Sequence, residues 1–300
     1  MHKIIYSAAR AAFFVFIIIV IGNIVIVAQE PLTGTWTASS KERSPQKLQI
    51  SFSVDRDPNR RNESGASFDY SVLHGLSREM TQNGPVRFSI IRDAGTIECE
   101  GSFENGRGKG TFRFTTRPGF ISEMQSRGFD FTKRSGDRDQ SVSERLLAAA
   151  LLDVTVAIAD DLRSSNFPDL EVGDLFKAAI FKIDGRFAAE MAATGFPELK
   201  FEDLVKARIF KINADYVREI KDMGLGADNF ENLVKYSIFK VTPEFLQELR
   251  NEGLTDLRPE DVVKIRIFKI DAAYVRQARA EDPSISVEKI VQKKISSWIK

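Results

Sequence analysis

Two hydrophobic rhythms divide the chain. Between residues 33 and 116, apolar and polar positions alternate. In LQISFSV (48–54), Leu48, Ile50, Phe52 and Val54 fall on one side, with Gln49, Ser51 and Ser53 on the other. FDYSV (68–72), VRFSI (86–90), TIECEGSF (96–103) and GTFRFTT (110–116) repeat the alternation, and GTWTA (34–38) reads as an opening strand. Period two with one apolar side predicts half-buried antiparallel sheet. RDAG (92–95) and ENGRG (104–108) read as hairpin turns, with Asn105-Gly106 a favoured tight-turn pair. Residues 55–66, carrying Arg56, Arg60 and Arg61, and residues 73–84, carrying His74, read as long polar loops.

From residue 117 the rhythm becomes helical and recurs every 29 residues. The triplet Ile-Phe-Lys stands at 180–182, 209–211, 238–240 and 267–269. Two residues after each lysine comes Asp184, Asn213, Thr242 or Asp271, side chains that cap helix starts. Gly195, Gly224 and Gly253, with Asn166 before and Asp282 after, occupy the phase of a left-handed helix stop. Between cap and stop lie Phe187, Tyr216, Phe245 and Tyr274, then Met191, Ile220, Leu249 and Ala278 on the same face. The other helix of each unit carries Leu175, Leu204, Leu233 and Val262, then Ile180, Ile209, Ile238 and Ile267. The isoleucines are therefore expected in the core, Phe239 between units, and Lys240 outside.

Each unit is two helices of about ten residues, which are too short to stand alone and must stack. A degenerate unit spans 144–166, with Leu151-Leu152-Asp153 in the Ile-Phe-Lys place. RPGFISEMQSRG (117–128) matches TPEFLQELRNEG (242–253) as a lone second helix, with an inserted loop near 129–142. Ile290 to Ile295 opens another first helix, and the half unit at each end suggests capping. The sequence thus predicts an α+β chain in two parts. A small antiparallel β barrel or sandwich (33–116) precedes a solenoid-like α-helical repeat array (117–300).

Residues 1–28 read as an export signal. Lys3 and Arg10 precede the apolar run AAFFVFIIIVIGNIVIVA, and Ala28 offers a small cleavage residue. The same run is long enough for an uncleaved N-terminal anchor. Either way the rest is expected outside the cytoplasm, periplasmic, secreted or held at the inner membrane, with membrane contact only through residues 11–28 if uncleaved. The chain has a net charge of +1, and losing Lys3 and Arg10 makes it −1, so bulk charge favours no nucleic acid.

Cys99 is the only cysteine, so no intrachain disulfide forms. His2 leaves with the signal, and His74 is then the sole histidine, too few for a histidine-rich zinc site. HExxH, CxxC, GxSxG and P-loop motifs are missing. No catalytic, cofactor or metal residue is assigned, although 42 acids leave a carboxylate- or lysine-based hydrolase open. GTW (34–36) is similar to the GxW opening of lipocalins, but the span is short for that barrel, and Trp36 reads as core.

The repeated lysines are the suggestive polar feature. Lys182, Lys211, Lys240 and Lys269 form one phase, and Lys177, Lys206, Lys235 and Lys264 another. Stacking places each set about 10 Å apart along the array. Acids recur beside them at Glu190, Glu219, Glu248, Asp174, Asp203 and Asp261, so local pairing competes with partner binding. The expected function is non-catalytic binding in the bacterial envelope, of a protein or an anionic envelope polymer, through the repeats. The alternative is small-ligand or polymer binding by the β domain, with the repeats as spacer.

VTPEFLQELRNEGLTDLRPEDVVKIRIFKI (241–270) resembles a bacterial repeat of the form V-T-P-E-[FY]-[IV]-x-E-[LM]-[RK]-x-x-G-[LFY]. Val241, Thr242, Pro243, Glu244, Phe245, Glu248, Leu249, Arg250, Gly253 and Leu254 carry the likeness. Such repeats are attached to extracytoplasmic ends of antirepressor-like, β-lactam-sensor-type membrane metallopeptidases and related secreted proteins, after a short β segment. The junction here is Ile-Phe-Lys, and the peptidase motif and its membrane helices are missing. The resemblance implies an accessory or sensor-type ectodomain without the enzyme.

Overall fold

The computed structural model describes residues 30–40, 46–57, 60–133, 140–165, 167, 169–225 and 229–298. The leader and Asn166 lie outside the described residues, as does part of the inserted loop. Six strands form one sheet: β1 (Leu32–Ser40), β2 (Lys47–Asp57), β3 (Arg60–Asp69), β4 (Gly84–Arg92), β5 (Gly95–Glu104) and β6 (Arg107–Thr116). Their order is β3-β2-β1-β6-β5-β4, antiparallel throughout, and the sheet curls into a half-barrel.

The alternation becomes an inner and an outer face. Leu48, Ile50, Phe52, Val54, Phe88, Ile90, Ile97 and Phe114 are buried inside. Trp36 pairs with Phe52 on one side and Gly110 on the other, and Gly110 pairs with Gly101. The indole lies across that bare backbone. A Cβ at Gly110 would stand 2.0 Å from the Glu100 carbonyl oxygen and 2.8 Å from Trp36 Nε1; one at Gly101 would stand 2.2 Å from the Lys109 carbonyl oxygen. Phe88 meets the indole edge-on at 5.4 Å between ring centres, and Phe103 lies at 5.8 Å. Trp36 is therefore core.

Two β readings are corrected. Residues 55–66 are no free loop: β2 runs to Asp57, and β3 starts at Arg60, with a bulge between Asp55 and Asp57. The sequence from 55 to 62 contains no large apolar residue, so no alternation marks it. FDYSV does not continue as a strand. β3 stops at Asp69, and Tyr70–Val72 make a 3-10 turn. The turn delivers His74 to the outer edge of β4, where it exchanges backbone hydrogen bonds of 2.9 Å with Ser89. That bridge partly covers an otherwise exposed edge. Asn105 and Gly106 take φ of 49° and 76°, the mirror-image turn expected of them.

Among the described residues twelve helices follow: α1 (Phe120–Ser126), α2 (Val142–Leu151), α3 (Val156–Ser164), α4 (Val172–Phe181), α5 (Gly185–Ala193) and α6 (Phe201–Ile209). Then come α7 (Ala214–Asp222), α8 (Phe230–Ile238), α9 (Pro243–Asn251), α10 (Pro259–Ile267), α11 (Ala272–Glu281) and α12 (Val287–Trp298). The capping phase holds. Asp184, Asn213, Thr242 and Asp271 accept from the N–H of Phe187, Tyr216, Phe245 and Tyr274 at 2.8–3.2 Å. In the degenerate unit Thr155 does the same for Ile158. Asp174, Asp203 and Asp261 accept the backbone N–H of Glu171, Lys200 and Arg258 at the starts of α4, α6 and α10. These repeated acids are helix starters.

Gly195, Gly224 and Gly253 take φ of 101°, 68° and 85°. Asp282 departs from the pattern. Its φ is −141°, and its carboxylate accepts the Ser284 N–H, so α11 ends in extended chain rather than a left-handed residue. Gly224→Val is expected to destabilise by more than ~1 kcal/mol, because a β-branched side chain resists positive φ. Equal thermal midpoints for the variant and the parent would refute the cap.

The sheet and the array share one hydrophobic core. α2 packs on β5, β6 and β3 through Leu146, Leu147, Ala149 and Ala150. The β4–β5 turn is tied to the helices: Asp93 Oδ2 accepts the Val156 N–H at the start of α3 (3.0 Å), and Arg117 Nε donates to the Asp93 carbonyl (2.6 Å).

Candidate partner-binding ladder

The Ile-Phe-Lys seams turn one helix into the next. Lys182, Lys211, Lys240 and Lys269 take φ of 55°, 55°, 54° and 51°, with Asp153 at 57° in the degenerate unit. The residue after each lysine returns its N–H to a carbonyl five positions back: Ile183 to Ala178, Ile212 to Ala207, Val241 to Tyr236 and Ile270 to Ile265, at 2.7–3.0 Å. This is the Schellman closure of a helix end. The lysine is thus a left-handed hinge whose side chain points away from the closed turn.

The closure reverses one expectation. Ile183, Ile212, Val241 and Ile270, after the lysine, are buried. Ile180, Ile209, Ile238 and Ile267, before it, are 52%, 49%, 48% and 44% exposed. The reason is helical phase. Leu204 and Ile209 are five residues apart, about 140° round the helix, so the buried leucine face cannot hold the isoleucine. Phe239 is half-buried, as are Phe181, Phe210 and Phe268.

The two lysine phases also separate. Lys206 Nζ bridges Asp203 (3.3 Å) and Glu231 of the next unit (2.7 Å), and Lys177 bridges Asp174 and Glu202 in the same way. Hydrogen bonds to Glu231 and Glu202 hold both ammonium groups above the usual lysine range. Lys235 is exposed and Lys264 half-buried. Lys264 helps lower the pKa of Asp261, while Glu260 pairs with Arg258 at 3.6 Å. Lys182, Lys211, Lys240 and Lys269 are exposed and make no ion pair among the described residues. Side by side with the exposed isoleucines, they form a ladder of alternating apolar and cationic groups.

Arginines that sequence reasoning missed brace the ladder from behind. The guanidinium of Arg208 lies 3.6 Å from the centre of the Phe187 ring and donates to the Lys182 carbonyl at 2.8 Å. Arg266 lies 4.0 Å from the Phe245 ring centre and donates through Nε to the Lys240 carbonyl at 3.0 Å. Ser237 replaces arginine in α8, and its hydroxyl donates to the Phe210 carbonyl. The opposite seam has its own tie: Lys221 donates to the Thr194 carbonyl and Arg250 to the Met223 carbonyl. Their 29-residue spacing was the available signal.

Acid groups at the seams give a pH dependence. Arg258 donates to Asp261 through Nε (2.8 Å) and Nη2 (3.0 Å), and this holds the buried carboxyl below its usual range against the opposing effect of burial. A depressed pKa stabilises fully above the unfolded value of about 3.9 and is lost as pH falls through the folded value. Asp261→Asn should therefore melt lower than the parent at neutral pH, with the gap closing below about pH 4. A gap constant across that range would contradict the pairing.

Elsewhere the chemistry is sparse. Cys99 is buried, and burial pushes its thiol up. The His74 side chain is exposed. Two shallow depressions lie on the outer face of the sheet. One of about 810 Å³ is lined by Thr37, Ser39, Gln49, Ser51, Ser102 and Lys109; the other, of about 710 Å³, includes His74, Arg87 and Glu98. Among the described residues no three His, Cys, Asp or Glu side chains converge as a metal site, and no helix is long and apolar enough to cross a membrane. The fold and the ladder define an α+β chain, a curled sheet leading into a helical-repeat array. Comparison with family models, curated proteins and solved structures returned no match.

Proposed function

We propose that this is an exported, non-catalytic binding protein of the bacterial envelope that holds a protein partner along the ladder of its repeats. The carrying observation is the half-exposed isoleucine at one phase of four successive units, each beside a lysine that makes no ion pair among the described residues. An exposed large apolar side chain gains ~1.5–3 kcal/mol on full burial, so half-exposed residues gain part of that on docking. The basic start and apolar run of the leader support export, and the resemblance to sensor-ectodomain repeats supports the envelope setting.

Simultaneous charge reversal of Lys211, Lys240 and Lys269 should abolish capture of envelope proteins by a photo-crosslinker placed at Ile238, while leaving the melting temperature unchanged. Capture at the parent level would sink the proposal. A second reading, polymer binding on the sheet with the repeats as spacer, is favoured by the hydroxyl-lined depression around Thr37 and Ser51. In that case Lys109→Glu, and not the ladder variant, would release envelope polymer.

A further inference from the structure

We infer that the ladder is built for an acidic amphipathic α-helix lying across the repeats, with apolar residues spaced by sevens. The inference rests on the binding role proposed above and specifies the partner's chemistry. Charge complementarity gives the sign. Lys182, Lys211, Lys240 and Lys269 are exposed and make no ion pair among the described residues, whereas several acids close to the seams are engaged. Asp184 and Asp271, two residues beyond a ladder lysine, cap α5 and α11. Glu202 and Glu231, one residue into α6 and α8, are neutralised by Lys177 and Lys206 of the preceding units. The stripe is therefore cationic with an isoleucine at every step.

Spacing gives the shape. Packed helices lie roughly 8–10 Å apart, so the rungs recur at about that distance. Seven residues of α-helix rise about 10.5 Å and return nearly to the same face, so a heptad meets one rung after another. An extended strand covers about 10 Å in three residues, an odd number that turns successive contacts to opposite faces. A flat anionic bilayer is less well matched. Glu190, Glu219 and Glu248 stand exposed on the alternate helices α5, α7 and α9, so a broad anionic surface that reaches past the lysines gains no further cationic contact there. A single helix is narrow enough to stay on the stripe. Four rungs require about 22 residues of partner helix.

The test uses a fluorescein-labelled synthetic helix of that length, with leucine at every seventh position and glutamate beside each leucine, titrated into the full-chain protein by anisotropy. Saturable binding is expected. A peptide with lysine in place of glutamate should bind at least tenfold more weakly. The Ile209→Ser, Ile238→Ser, Ile267→Ser triple variant, with the parent's melting temperature, should also lose at least tenfold. A photo-crosslinking residue at Ile238 should capture the peptide, and one at exposed Glu219 should not, which keeps the test sound if the triple variant is unstable. Equal binding of the acidic and basic peptides, unchanged binding by the folded triple variant, or capture at Glu219 in place of Ile238 would overturn the inference. So would ladder-dependent binding to phosphatidylglycerol vesicles without binding of the peptide. Envelope capture at Ile238 combined with failure of the acidic helix would reject this partner chemistry and leave the binding function standing.

Discussion

Gly110→Val is expected to prevent the sheet from folding. A Cβ at this position would stand 2.0 Å from the Glu100 carbonyl oxygen and 2.7 Å from Gly101 Cα, both backbone atoms, with Trp36 Nε1 at 2.8 Å. No rotamer change relieves a backbone clash, so β5 and β6 must separate or the indole must leave. Overpacking a sound core typically costs ~1–3 kcal/mol, and this site has no soft neighbour, so a loss of at least ~3 kcal/mol follows. The readout is fluorescence. Trp36 and Trp298 are the only tryptophans, and Trp298 is 57% exposed, so a Trp298→Phe background isolates the buried indole. The parent in that background should emit at short wavelength, and the Gly110→Val form should emit like indole in water. Retained short-wavelength emission with an unchanged denaturation midpoint would show that the row accepts a side chain.

The second large effect separates two positions on one helix. Leu233 is fully buried in α8, and Leu233→Ala should cost ~2–5 kcal/mol. Ile238 closes the same helix and is 48% exposed, so Ile238→Ala should cost less than ~1 kcal/mol. Urea unfolding of the two variants, with similar slopes, measures the difference. Equal losses would place Ile238 in the core and remove the apolar half of the ladder.

That pair also shows how far sequence reasoning reaches here. Caps and stops were readable because each is set by local chemistry: Thr242 can only satisfy an amide three residues on, and Gly224 can adopt positive φ without strain. The alternating strands were readable wherever one face is buried. Reading failed where neither condition holds. The sequence between 55 and 62 has no apolar alternation to reveal the pairing of β2 with β3 there. Tyr70–Val72 continues the alternation of β3, yet the chain turns to reach Ser89, a pairing set by a distant strand. Ile180, Ile209, Ile238 and Ile267 looked like core because they are apolar and periodic, but their five-residue offset from the buried leucines puts them outside. The lysine hinge was missed because left-handed backbone is expected of glycine, and here the demand of the Schellman turn outweighs that preference.

The ties behind the ladder have a consequence for how such a chain changes over time. Arg208 reaches back to Lys182 and Phe187, Lys206 forward to Glu231, and Arg266 back to Lys240 and Phe245, so each interaction spans one unit and its immediate neighbour. Duplicating or deleting a 29-residue segment in the interior of the array leaves junctions of the same kind at the splice. Related chains are therefore free to differ in copy number without redesign of the core, and the reach of their binding edge should vary in whole rungs.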